Sequence, residues 1–226
     1  MFLGVIDWFP AHSTTTSDPR TAARLRWQSF ALVRRMAREV DAQHRATIGH
    51  SERAARLGMA LGEVLGWSSG DIERLGEAAL VHDIGKICIP AEILGSPVAL
   101  TDEQMAVVRH HPQISAEMVA PALDSEQVSW VRHHHERWDG RGYPDGLRGA
   151  QIPLGAQLLS VADAWDAMTT RPGPRNLNTT QALNECQNES GHQFAPSVAA
   201  ALSAAVERSI TTPWRRSGRR ALTVTG

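Results

Sequence analysis

Apolar residues recur along this chain at three- and four-residue steps, the spacing of an amphipathic helix. From about Thr21 the pattern is helical, with Leu25, Leu32, Met36 and Val40 on the expected inner face and mostly arginine on the other. In the stretch GHSERAARLGMALGEVLGW, Ala54, Leu57, Leu61, Val64 and Leu65 form an apolar stripe that Gly66 ends. A third helix follows the SSGD turn, with Ile72, Leu75, Ala79 and Leu80 facing inward, and runs into VHDIGK. IPAEILGSP reads as a loop. Thr101 and Gln104 form a capping box at the start of TDEQMAVVRHH. Pro112 is expected to stop or bend that helix just after His111. A further helix starts near Ser125 and ends in His133, His134 and His135. Pro153 opens a helix as a first-turn proline, with Leu154, Leu158, Val161, Trp165 and Met168 along it. Two more helical stretches follow, around 179–188 and 196–209. No run reads as a strand and no repeat is found. The expected fold is an all-α bundle with the glycine-rich loop 138–152 as its largest irregular insertion.

Composition narrows this picture. The chain has 226 residues, 42% of them hydrophobic, enough for one domain with a real core. Three parts are expected: an arm and helix over 1–40, a main domain over 41–210 and a tail over 211–226. A formal net charge of −1 gives no overall pull towards DNA or an anionic membrane. Only the tail, with Arg215, Arg216, Arg219 and Arg220, is locally basic. The arginine-rich helix 24–38 reads as a solvated face or a dimer contact. Cys88 and Cys186 share no motif and read as reduced thiols. The N-terminal stretch MFLGVIDWFPAHS is too short and too broken for a signal peptide or a membrane span, so a cytoplasmic protein is expected.

The unusual count is ten histidines, six of them between His82 and His135. His82 and Asp83 follow an apolar run, where a charged group must be paired or bound to metal. Lys86 stands three residues on. His111 precedes Pro112. In the histidine triplet, neighbours on a helix point about 100° apart, so only one adjacent pair, His133–His134 or His134–His135, can serve one point. Asp163 lies among Leu158, Leu159, Ala162 and Ala167, where it is either hydrogen-bonded to a neighbouring helix end or a metal carboxylate. With His50, these groups are spread over five helical segments, as a metal site in a bundle core requires. Imidazole and carboxylate without thiolate suit iron, manganese, zinc, cobalt or nickel. The set is too large for one tetrahedral zinc. It suits two ions sharing an aspartate, which at about 3.5–4 Å apart activate a water for in-line displacement at phosphorus.

The segments VHDIGKICIP, HHERWDGRGYPDGLRGAQIP and LLSVADAWDAMTT closely resemble the HD-GYP branch of the HD-domain metal phosphohydrolases. GHSERAARLGMALG resembles the family's first ligand helix and GHQFAPSV its closing segment, so the resemblance covers roughly residues 40–205. It implies an HD-domain helical bundle with a GYP-containing loop. It also implies a bacterial signalling enzyme that hydrolyses cyclic di-GMP to pGpG and GMP. The implied ligands are His50, His82 and Asp163 for one metal, and His111, His134 and His135 for the other, with Asp83 bridging and His133 spare. The metals implied are two divalent ions, Fe or Mn. Lys86 would act with Asp83 in catalysis and steady the scissile phosphate. Asp166, Tyr143, Arg171 and Arg175 would contact substrate. Trp138, beside the loop, could stack on guanine, while Trp130 and Trp165 read as core. Glu136 could orient a ligand imidazole.

Two departures matter. Some family members bind a third metal through a Glu four residues before the first ligand His, where this chain has Ala46. That implies two metals. The family's R-P-Y-R reads here RPGPR, which bears on affinity or on the choice of cyclic dinucleotide. The alternatives are therefore a related substrate such as cyclic GMP-AMP, or a module that binds ligand or docks partners through its loop and turns over poorly. About forty residues precede the domain, too few for a sensor, so regulation is expected from a partner or from the first helix.

Overall fold

The computed structural model describes residues 18–42, 48–96, 98–170 and 176–211. Ala46, Arg171, Arg175 and the tail arginines lie outside the described residues. The chain order is α1 (Pro19–Ala42), α2 (His50–Val64), α3 (Ser69–Ala79), α4 (Ala91–Leu94), α5 (Asp102–Val108), α6 (His111–Val119), α7 (Ser125–Arg132), α8 (Leu154–Thr170), α9 (Thr179–Asn188) and α10 (Pro196–Thr211). A 3₁₀ turn spans Ile84–Cys88 and another Gly149–Gln151. Among the described residues there is no strand, only an isolated bridge between Ser190 and Phe194. The all-α reading therefore holds. No helix among these residues is long and apolar enough to cross a membrane.

Helix α8 is the hub of the bundle, packing on α2, α3, α7, α9 and α10. Its Leu158, Leu159, Val161 and Ala162 are fully buried, joined by Leu61 of α2, Leu75 of α3 and Leu202 of α10. Trp130 of α7 is buried with them, and Trp165 packs on the cluster's edge. Helix starts follow local chemistry. Thr101 and Gln104 make the expected capping box, and Asp124 with Gln127 and Asn178 with Gln181 repeat the device.

Four details differ from the pattern-based reading. Leu25 and Leu32 of α1 are 43% and 53% exposed, and the buried stripe is Val33, Ala37 and Val40. The two faces lie close in angle, and the docking of α1 against α2 and α6 selects the smaller residues. Pro112 does not close the preceding helix. Helix α5 ends at Val108, and Pro112 sits in the first turn of α6, where its missing N–H costs nothing. The segment read as a loop at 89–97 contains the single turn α4. Helix α7 stops at Arg132, so His133 caps it and the other two histidines lie in the turn beyond.

Candidate metal centre

Five elements bring the polar core together. His50 opens α2, Asp163 lies in mid-α8, His82 and Asp83 lead into the first 3₁₀ turn, His111 opens α6, and His134 and His135 follow α7. His50, His82, Asp83 and Asp163 each offer a ligand atom within 4.8 Å of the others. Asp83, His111, His134 and His135 form a second such group. Asp83 is common to both. His133 is outside both groups; its Nε2 lies 2.9 Å from Asp145 and its Nδ1 2.8 Å from the Ser129 carbonyl.

The imidazoles are aimed by what stands behind them. Nδ1 of His82, His111 and His134 lies 2.8, 2.7 and 2.6 Å from the carbonyls of Ala79, Val108 and Val131, each three residues back. A carbonyl can only accept, so Nδ1 carries the proton, and in the neutral ring Nε2 keeps its lone pair. These carbonyls are the unsatisfied last-turn groups of a helix end, so each bond satisfies both partners. On the far side, Nε2 of His82, His111 and His134 and Oδ1 of Asp83 are buried with no hydrogen-bond partner among the described residues. His111 Nε2 comes within 3.1 Å of Asp83 Oδ1 without the alignment of a hydrogen bond. Leaving such atoms unsatisfied costs about 1–3 kcal/mol each. A divalent cation at each cluster would satisfy these atoms together, and the donor set fits one.

His50 is held differently. Its Nε2 lies 3.2 Å from Asp163 Oδ1 and 3.5 Å from Asp83 Oδ2, and its Nδ1 bonds Asp166 Oδ2 at 2.7 Å. Asp166 is buried and also receives Arg53 Nε at 2.5 Å and Nη2 at 3.0 Å. Asp166, one turn after Asp163 and expected to contact substrate, stands behind His50 with donors on both carboxylate oxygens. Burial opposes charge on His50, but Asp163, Asp166 and Asp83 outweigh it and push the imidazole up to about 12. Burial also opposes charge on Asp83, yet His82 and Lys86 hold it well below the usual carboxylate range. Asp163 is likewise depressed against its burial, chiefly by His50. In the other cluster burial wins: it holds His134 well below its ordinary value and His135 down to about 3. Lys86 pairs with Asp83 Oδ2 at the edge of the centre.

The loop after the histidines is tied down at many points. Glu136 is buried and accepts from the N–H groups of Asp145 at 2.7 Å and Leu147 at 3.0 Å. It organises the loop and does not orient an imidazole, because both its oxygens are taken by backbone. Arg132 grips Asp145 with two bonds, at 2.9 and 2.8 Å. A Cβ at Gly142 would collide with Arg137 N, Glu136 Cα and His135 O, so only glycine lets the chain fold back onto the histidine turn. Gly85 likewise lies against His111 O and Ser115, joining the HD turn to α6. The fold-back stacks Tyr143 on His135, with ring centroids 5.0 Å apart, and the Arg109 guanidinium lies over the Tyr143 ring, 5.8 Å from its centroid. Trp138, the candidate for stacking on guanine, is partly buried against the core, with its backbone bonded to Gln193 and Gly149. Arg53 and Arg109 carry no pattern of their own in the sequence. The i, i+3 spacing of His50 with Arg53 and of Asp163 with Asp166 was the available signal.

Known proteins resemble this chain in sequence and in fold. Residues 34–198 match the family model described as HD domain. A cyclic di-GMP phosphodiesterase of Pseudomonas aeruginosa is 37% identical over 204 residues, which is 87% of this chain and 47% of that protein. A 3'3'-cGAMP-specific phosphodiesterase of Vibrio cholerae is 35% identical over 168 residues, 74% of this chain and 38% of that protein. The chain thus spans about half, or less, of the length of these curated relatives. Among solved structures, an HDGYP protein of Bdellovibrio bacteriovorus matches with a TM-score of 0.59 at 20% identity, over 83% of this chain and 64% of that one, which bears on the fold alone.

Proposed function

The chain belongs to the HD-domain family, in its HD-GYP branch, and on that premise we propose that it is a metal-dependent phosphodiesterase of cyclic di-GMP, cleaving it to pGpG and GMP. The observation that carries this reading is the set of buried, partnerless Nε2 atoms converging with Asp83. His50, His82 and Asp163 would hold one ion, His111, His134 and His135 the other, and Asp83 both. Fe or Mn suits these donors. When bound, such a pair polarises a phosphoryl oxygen and lowers the pKa of water towards neutrality.

The chain's own residues then have distinct tasks. The carbonyls of Ala79, Val108 and Val131 keep the ring protons on Nδ1 and so keep Nε2 available as a donor. Lys86, at the rim beside Asp83, offers positive charge to the scissile phosphate or the leaving oxygen. Tyr143, stacked on His135, gives the mouth of the site a flat wall. Burial, with Asp163 and Asp83 nearby, keeps its phenol protonated above the usual range. Arg171 and Arg175 retain their proposed role at the substrate's phosphates.

The test is anaerobic loading with Fe(II) or Mn(II), followed by incubation with cyclic di-GMP and, separately, with 3'3'-cGAMP. The 35% identity to the cGAMP-specific relative is what favours the second substrate as an alternative. Appearance of pGpG and GMP supports the proposal. Cleavage of cGAMP alone shifts the substrate. Binding without product with either metal replaces the enzyme by a ligand-binding module that could dock partners through its loop.

A further inference from the structure

Helices α2 and α8 face each other with two matched pairs, each one helical turn apart: His50 and Arg53 on α2, Asp163 and Asp166 on α8. The inner layer is His50 against Asp163, at 3.2 Å. The outer layer is Arg53 against Asp166, with two bonds at 2.5 and 3.0 Å. His50 links the layers, since its Nδ1 is 2.7 Å from Asp166 Oδ2. Arg53 is itself fixed by the Ile48 carbonyl at 2.7 Å, and the Thr170 hydroxyl lies 3.2 Å from Asp166 Oδ2. Asp166 would otherwise be a third carboxylate in a centre that already holds Asp83 and Asp163. A buried carboxylate so placed must take a proton, bind a cation or find a guanidinium.

We infer that Arg53 is a positioning residue of the metal centre. By neutralising Asp166 with a planar fork, it keeps that carboxylate on the Nδ1–H of His50 and off the metals, so His50 presents Nε2 to its ion and the centre stays at two ions. The reasoning rests on the metal reading above but not on the identity of the nucleotide. It also reaches two ions by a route independent of Ala46, through a carboxylate that is already occupied.

The test is a Mn(II) titration of the apo-protein followed by electron paramagnetic resonance, with circular dichroism melts of each apo form. Wild type is expected to bind two ions. Arg53→Ala should weaken one of the two by roughly 10–100-fold, as loss of a ligand-orienting partner does, and leave the other within about threefold. Arg53→Lys should recover part of the loss, since it keeps the charge and loses the fork. Asp166→Asn, nearly isosteric, should show the same one-ion loss and serves if Arg53→Ala does not fold. Equal weakening of both ions, no weakening in either variant, or three ions in wild type would overturn the inference. No nucleotide is present, so failure of the cyclic di-GMP reading and failure of this one are told apart.

Discussion

Three of the buried imidazoles are oriented by their own chain, and one is not. His82, His111 and His134 each bond a carbonyl three residues back, so the segment that supplies the ring also aims it. His50 depends on Asp166, 116 residues away, and through it on Arg53. Electrostatics set the two clusters apart: His50 sits among carboxylates and holds its proton, whereas burial strips His134 and His135 of theirs. Among these four rings only His50 waits on the docking of α2 with α8, and its cluster also holds the locally aimed His82.

Asp83 is the one ligand that both halves share, and its removal should have the largest effect. Asp83→Ala is expected to lose both ions by elemental analysis. Its hydrolysis should fall by more than the roughly 10²–10³-fold that loss of one transition-state-stabilising group costs. A variant that keeps one ion would show that the halves are independent.

Proton competition separates the halves next. An ion at the His50 half must displace the proton that His50 carries, with its pKa up to about 12. Binding there should strengthen by up to about tenfold per pH unit between pH 6 and 8. His134, and His135 with its pKa down to about 3, have no proton to give in that range and add no such slope to the other half. Ion titrations at pH 6, 7 and 8 measure both slopes, and equal slopes would erase the distinction.

The remaining changes should be smaller. Gly142→Ala forces a Cβ into the histidine turn and should cost about 1–3 kcal/mol in denaturant melts. It should also weaken the His111 half, whose His135 it displaces. His133→Ala breaks a partly exposed pair with Asp145, worth about 0–1 kcal/mol, and a bond to the Ser129 carbonyl, and should leave both ions in place.

The contrast also explains how much the sequence revealed. The bundle was legible because Leu158, Leu61 and Leu75 obey helical spacing and caps such as Thr101 with Gln104 are local. The histidines and aspartates were legible as types, and HHERWDGRGYPDG as a family pattern. Roles that depend on a distant partner were not. Nothing near Asp166 in sequence announces its pairing with Arg53, and Glu136 read as a partner for imidazole because its bonds run to backbone N–H groups nine and eleven residues on. The inner face of α1 was misjudged for the same reason. Leu25 and Leu32 are the larger residues, but the docking of α1 selects Val33, Ala37 and Val40.

The claim on which the rest stands is that Asp83 lies between two ions. Crystals of the protein grown with Mn(II) and measured at the manganese edge test it directly. The account predicts two anomalous peaks, one against His50, His82 and Asp163, the other against His111, His134 and His135, with the Asp83 carboxylate between them. A single peak, or a third peak held by Asp166, would contradict it.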